Sequence, residues 1–296
     1  ERQKQHHLLA NDLDQILYGG DVNSRASSNN QRVHYDIPAD KERGLPLLDI
    51  RTPKRSLDEV ILPPSSAAAL EEILEENRRD DVLRSYGMKP ATKIIFFGPP
   101  GCGKTLAAEV VAFELDRPLA IVRLDALMSS FLGETAANLR KVFDFISQHS
   151  LVALFDEFDA IGKERGDSGD HGELRRVVNA VLQMMDSYEG SSVILAATNH
   201  EKILDSAIWR RFDESIEFPL PDEKQLLDIL TLKLRGIRRQ FEIDDKEVIK
   251  EFKGKSGADI ERVIRRAAKR MILRGQEFLT IKELKSALVR EGLRKF

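Results

Sequence analysis

Residues 98–105 read GPPGCGKT and follow directly on an apolar run, IIFF, at residues 94–97. The octet satisfies the pattern G-x-x-x-x-G-K-[ST] on Gly98, Gly103, Lys104 and Thr105. In such a setting a buried strand ends, small residues let backbone N–H groups wrap around phosphate oxygens, and the next helix points its positive N-terminus at the same anion. The stretch therefore predicts a nucleotide-binding P-loop inside an α/β fold. Pro99, Pro100, Gly101, Cys102, Gly103 and Leu106 are expected around the nucleotide, Lys104 on the β and γ phosphates of ATP, and the Thr105 hydroxyl on Mg²⁺. Cys102 has two readings. It is a small side chain filling a loop position, or a thiol beside a helix N-terminus, where thiolate is favoured and oxidation would block ATP.

The 296 residues are 42% hydrophobic, enough for one large core or two modest ones, so one principal domain with an appendage is expected. A formal net charge of -3, with Lys and Arg interspersed among Asp and Glu, gives no bulk attraction to phosphate backbones. No nucleic-acid partner is expected. The single Cys102 cannot form an internal disulfide, and no stretch approaches the roughly 18 continuous apolar residues of a membrane span. A reducing, cytoplasmic setting follows. The chain opens at Glu1 with neither a Met nor a signal-like apolar run, as a fragment or a trimmed chain would.

Residues 1–55 are polar, carry NSRASSNN at 23–30 and are broken by prolines at 38, 46 and 53, the pattern of an extension or linker. Within it Leu8, Leu9, Leu13, Ile16 and Leu17 are spaced along one side of a short helix, which either docks a partner or packs on the protein's own core. His6 and His7 are adjacent, and a helix points adjacent side chains in different directions, so they read as solvated rather than as a metal pair.

Over residues 56–220 apolar runs alternate with helical patterns, the signature of a parallel sheet covered on both faces. Five strands are expected, at 93–97, 119–124, 151–155, 193–197 and 215–218. Helices are expected after Lys104, around Thr135 and from Glu173, the last with Leu174, Val177, Val178, Val181, Leu182 and Met185 as a core stripe. Beyond the PLP at 219–221 only helical patterns remain, at 226–234, 247–252, 260–272 and 281–288. Residues 221–296 thus read as a separate small helical domain, whose third helix begins at Ser256 through the capping-box pattern S-x-x-D.

A P-loop alone does not say what is done with the nucleotide. Asp156 and Glu157 terminate the apolar strand at 151–155, and in a parallel sheet the carboxyl ends of strands face the ligand crevice. Asp156 is expected to hold Mg²⁺ through its water shell, and Glu157 to polarise a water in line with the γ phosphate. Hydrolysis is then favoured over transfer to a second substrate. Asn199, just past the strand at 193–197, offers both a donor and an acceptor with which to position that water.

Taken together, GPPGCGKT (98–105), LVALFDEFDA (151–160), ILAATN (194–199) and LDSAIWRRFDE (204–214) resemble the AAA+ ATPases, in particular their protein-remodelling branch. The resemblance runs from about residue 57 to the C-terminus. It implies subunits in a six-membered ring, with nucleotide held between one subunit's P-loop and its neighbour's arginine fingers, a place that falls on Arg210 and Arg211. Guanidinium groups there would offset charge gathering on the γ phosphate. The compact WRRF at 209–212 is similar to the vacuolar-sorting and microtubule-severing subfamilies and leaves open which arginine meets the phosphate.

Gly257 and Ala258 stand where other branches place a phosphate-touching arginine, and small residues there let the helix end approach the adenine. The same match puts Val60, Ile61 and Ile229 in the adenine pocket and Lys233 near the ribose. Phe131, Leu132 and Gly133 take the place of the family's channel-facing loop, which implies an apolar grip on an extended polypeptide; the alternative is a core Phe at the start of a helix. Residues 163–172 would form a second channel loop, in which Asp167, Asp170 and His171 read as solvated rather than as a metal site.

The preferred reading is an ATP-driven remodeller or unfoldase that threads a polypeptide client through a homo-oligomeric, hexameric ring. A nucleotide-gated assembly factor or chaperone that does not thread its partner is the alternative. A DNA-acting motor or clamp loader is a third, but it predicts a basic surface and often a phosphate-sensing arginine in the lid, and this sequence has neither.

Overall fold

A computed structural model of the protein describes residues 35–127, 132–159, 180–201, 204 and 206–292. The expected helix near Leu8 to Leu17, His6 and His7, Phe131, the loop at 163–172 and the start of the helix at Glu173 lie outside the described residues.

Each expected apolar run becomes a strand, and those at 152–155 and 193–198 are buried on both faces. The strands are β1 (Leu48–Arg51), β2 (Lys93–Phe97), β3 (Leu119–Val122), β4 (Val152–Phe155), β5 (Val193–Thr198) and β6 (Glu214–Glu217), in the spatial order β1-β3-β4-β5-β2-β6. All neighbours pair in parallel except β1, which runs antiparallel to β3. Side chains alternate across a strand, so Val152 and Leu154 of β4 enter one apolar cluster with Val193 and Leu195 of β5. Ala153, Phe155, Ile194 and Ala196 point into the other.

Helices close both faces. On the first lie α1 (Pro64–Arg78), through Leu70, Ile73 and Leu74, and α3 (Lys104–Glu114), through Ala107, Ala108 and Val111. The short α2 (Asp80–Ser85) links α1 to β2. On the second face lies α5 (Leu132–Gln148), which contributes Leu139, Val142, Phe143 and Ile146 after the one-turn α4 (Leu124–Leu127). Residues 180–186 are helical and bury Val181, Leu182 and Met185 on that face, the described part of the expected stripe.

Among the described residues the sheet has six strands, not five. Residues 48–51, read above as linker, form its outer strand, with Leu48 opposite Val122 and Arg51 opposite Leu119. Leu47 and Leu48 are fully buried. Asp40 anchors the approach to this strand: its carboxylate accepts from Asn138 Nδ2 of α5 at 2.9 Å and from the Arg43 N–H at 3.0 Å. The Asn138 hydrogen bond leads in holding that carboxyl below its ordinary range.

The C-terminal helices carry their own apolar cluster. Helices α7 (Glu223–Lys233), α8 (Lys246–Phe252), α9 (Gly257–Leu273) and α10 (Ile281–Gly292) bury Leu226, Leu230, Phe252, Val263, Ala267 and Leu284 together. Helix α9 begins where the S-x-x-D pattern predicts: Ser256 Oγ accepts from the Asp259 N–H, and the Asp259 carboxylate accepts from the Ser256 N–H. Helix α7 has an equivalent box between Asp222 and Gln225.

Candidate active site

Parallel pairing brings the chemistry to one edge of the sheet. Phe97, the last residue of β2, pairs with Thr198 of β5, and Phe155 of β4 pairs with Ala196. The P-loop, Asp156–Glu157 and Asn199 therefore emerge side by side at the carboxyl ends of three adjacent strands, where open α/β sheets bind ligands.

The loop's glycines are dictated by geometry. Gly98 has φ +133°, and a Cβ there would fall 2.3 Å from the Phe218 carbonyl oxygen. Gly101 has φ +76°, and its Cβ would lie 2.6 Å from Ser256 Oγ and 2.9 Å from Ala258 Cβ. The second approach exists because the first turn of α9 rests on the loop, with the Ala258 N–H donating to Gly101 O at 3.0 Å. Thus one contact ties the first turn of α9 to the phosphate loop.

Lys104 opens α3 and is 6% exposed. Its Nζ donates to Gly98 O at 2.7 Å and Pro99 O at 2.9 Å. Burial pushes its ammonium below the ordinary lysine range, against the pull of Cys102, Asp156 and Asp159. Thr105 Oγ1 donates to Asp156 Oδ2 at 2.8 Å, so the two side chains expected at the metal already share one point. Glu157 follows with φ +53°, a left-handed conformation that costs a side-chain-bearing residue energy and concentrates at functional sites. Its N–H donates to Asp156 Oδ1 at 2.9 Å.

These groups border a cavity of about 500 Å³, within the range of small-molecule sites. Pro100, Gly101, Cys102, Gly103, Lys104, Thr105 and Leu106 form its floor, and Asp156, Glu157 and Asn199 one wall. Val60, Ile61, Ile229, Lys233, Gly257 and Ala258 line the rest, so the residues matched to the adenine pocket converge on the same space. Pro99 is not on the wall and takes part through its carbonyl.

The rim also contains residues that the sequence reading missed: Arg55, Glu59, Glu109, Leu232 and Glu261. Arg55 pairs with Glu59 at 3.2 Å and Glu109 at 3.5 Å, and Lys233 with Glu261 at 2.7 Å. Burial raises the Glu261 carboxyl, but Lys233, Arg265 and Arg55 together hold the group below the ordinary range. The Arg55–Glu59 spacing of four was a visible signal; the distant partners come together only through the fold.

The surroundings of the Cys102 thiol favour one of its two readings. Burial beneath the lid pushes it above the ordinary cysteine range, and Asp259 adds to this against the opposing Lys104 charge. An activated thiolate is not favoured there, which leaves the reading of a small loop-filling residue.

Arg210 and Arg211 are exposed, follow the one-turn α6 (Ser206–Trp209), and do not line the cavity. Arg211 pairs with Asp186. The turn is held by aromatic packing, Trp209 edge-on to Phe97 at 5.1 Å and Phe212 edge-on to Phe158 at 5.9 Å. Leu132 is the first residue of α5, and Phe131 lies outside the described residues.

Residues 94–220 match the family model described as ATPase family associated with various cellular activities (AAA). Over 295 residues the chain is 37% identical to an uncharacterised AAA family ATPase, y4kL, of Sinorhizobium fredii, a match that covers 100% of this chain and 88% of that protein. This chain belongs to the AAA family. The AAA ATPase is also 35% identical over 191 residues to the 26S proteasome regulatory subunit 10B homolog A of Arabidopsis thaliana, which covers 62% of this chain and 48% of that protein. Its activity is the hydrolysis of ATP.

The oxygens of Thr105 and Asp156 at the phosphate loop fit a Mg²⁺ ion. Among the described residues no three His, Cys, Asp or Glu side chains cluster as a metal cage, while Thr105 Oγ1 and Asp156 Oδ2 supply oxygen ligands at the phosphate loop. One or two protein oxygens completed by water and substrate phosphate is the usual Mg²⁺ arrangement. No helix among the described residues is long and apolar enough to cross a membrane.

Proposed function

We propose that this AAA ATPase is a protein remodeller that works as a ring, a hexamer by family resemblance, and draws a polypeptide client past channel loops. The observation that carries this reading is the separation of the arginines from their own site: the cavity holds loop, carboxylates and amide, while Arg210 and Arg211 stand outside it. An arginine supplied by a neighbour would complete the site and couple hydrolysis to assembly. The partial match to a proteasome regulatory subunit supports the remodelling branch. The nearer likeness to the vacuolar-sorting and microtubule-severing subfamilies rests on the compact WRRF segment. We place the protein in a reducing cytosol, with Cys102 unpaired, and divide it into an ATP-binding α/β domain over 56–220 and a lid over 221–296, each with its own apolar clusters.

In this mechanism Lys104 and the loop N–H groups hold the ATP phosphates, and Thr105 and Asp156 are the residues that would bind Mg²⁺. When bound, Mg²⁺ neutralises charge on the β and γ phosphates. Asn199 orients a water, Glu157 accepts its proton, the oxygen attacks the γ phosphorus, and the bond to the bridging oxygen breaks to leave ADP and phosphate.

Action in trans is tested by mixing Arg211→Ala subunits with Lys104→Ala subunits. Some interfaces then pair an intact loop with an intact finger, so turnover above either parent is expected. No recovery despite proven co-assembly would count against it.

Phe131→Ala separates threading from nucleotide-gated binding. The variant is expected to keep basal ATP hydrolysis and ring assembly while losing client-stimulated turnover and unfolding. Unfolding at the parent rate would put the assembly-factor reading ahead.

A further inference from the structure

Asp159 has no assigned role in the site, yet it is buried, with 4% of its surface exposed, two residues beyond Glu157. Its Oδ1 accepts from Thr198 Oγ1 at 3.2 Å and from the Asn199 N–H at 3.4 Å. Thr198 Oγ1 in turn accepts from the His200 N–H at 3.1 Å, and His200 Nε2 lies 4.0 Å from Asp159 Oδ2. One residue earlier, the Phe158 N–H donates to Ala197 O at 2.8 Å. The turn after β4 and the end of β5 are thus stitched together, with the turn at 198–200 wrapped around one carboxylate.

A buried carboxylate is costly unless hydrogen-bonded, and here the bonds go to the backbone and neighbour of Asn199. The turn after β4, just before Asp159, carries Glu157 in its left-handed conformation. We infer that Asp159 is a positioning residue for hydrolysis: it fixes where the Asn199 amide stands relative to Glu157. The role rests on the reading of Glu157 and Asn199 as the groups that handle the attacking water. Asp159 lines no part of the cavity. Its field reaches Lys104 only as a lesser influence beside burial, Cys102 and Asp156, so its main action is through Asn199.

The test uses the full chain, with steady-state ATP turnover and ADP affinity measured in parallel. Asp159→Ala is expected to lower kcat about 10- to 100-fold, the usual loss when a group that orients a functional side chain is removed. ADP affinity is expected to stay within about twofold. Asp159→Asn keeps an acceptor oxygen toward both donors and is expected to restore kcat to within about threefold of the parent. In an Asn199→Ala background the further loss on Asp159→Ala should shrink to about twofold or less, because the two residues act as one unit. Parent-level kcat in Asp159→Ala, a full multiplicative loss in the double variant, or a matching fall in ADP affinity would each overturn the role. If Asp159→Ala fails to fold, Thr198→Val removes one donor to the same carboxylate: lower kcat at unchanged ADP affinity supports the role, and parent-level kcat overturns it. Glu157→Gln run alongside keeps the two readings apart. A slow Glu157→Gln with a full-rate Asp159→Ala overturns the positioning role alone, whereas a full-rate Glu157→Gln overturns the water-site reading and this role with it.

Discussion

Glu157→Gln is expected to bind ATP as the parent does and to hydrolyse it about 10² to 10⁴ times more slowly, the usual cost of removing a general base. The substitution is isosteric. It leaves the left-handed turn, the Glu157 N–H bond to Asp156 Oδ1 and the Thr105–Asp156 contact in place. In the proposed role only the ability to take a proton from water is lost, so the effect is expected in kcat rather than in affinity. Single-turnover hydrolysis beside equilibrium binding of a fluorescent nucleotide measures the two quantities separately. Equal turnover by variant and parent would refute the role of Glu157, and a large loss of affinity would show that the side chain holds the turn instead. Because the slow variant stays loaded with ATP, it also serves to trap and identify clients.

Lys104→Ala is expected to do the reverse and abolish binding. Lys104 is the buried cation of the phosphate loop, already aimed at the loop by its bonds to Gly98 O and Pro99 O. A hydrogen bond to a charged group is worth about 1.5–3 kcal/mol, so losing two at the phosphates weakens binding by about 100-fold or more. The fold should survive, since Gly98, Gly101 and the Ala258–Gly101 contact shape the loop independently of the lysine. Isothermal titration with ATP and ADP, together with a thermal melt, checks both halves. Undiminished affinity in a folded Lys104→Ala protein would remove the phosphate role.

The two variants rest on residues that could be read directly in the chain. A P-loop is contiguous, its meaning comes from one strand, one turn and one helix start, and all three lie within residues 93–114. Asp156, Glu157 and Asn199 were legible for a related reason: parallel strands share a direction, so polar residues just past their carboxyl ends reach the same edge whatever the order of the strands. The capping box at Ser256 is local as well, and the helix starts there.

What escaped the reading depends on contacts distant in sequence. The strand at 48–51 is four residues long and carries too little periodicity to stand alone; it forms because β3 offers an open edge and the core takes Leu47 and Leu48. Helix α1 was hidden by its acidic stretch, and only its packing beside β6 in the shared apolar cluster shows that Leu70, Ile73 and Leu74 face inward. The rim charges Arg55, Glu109 and Glu261 come from three separate segments. Asp159 drew no reading from the sequence, and only the fold buries it under a turn about 40 residues onward.

Cys102 shows the same division in a single side chain. Its place beside a helix N-terminus argued for thiolate, a local electrostatic inference. The lid helix then covered the loop, and desolvation outweighed the favourable field. Local chemistry follows from neighbours along the chain and is therefore written in the residues. Burial, long-range pairing and the placement of Arg210 and Arg211 outside the cavity lining arise only once the sheet is assembled and the C-terminal helices pack on the phosphate loop, because they depend on which distant surfaces exclude water from one another.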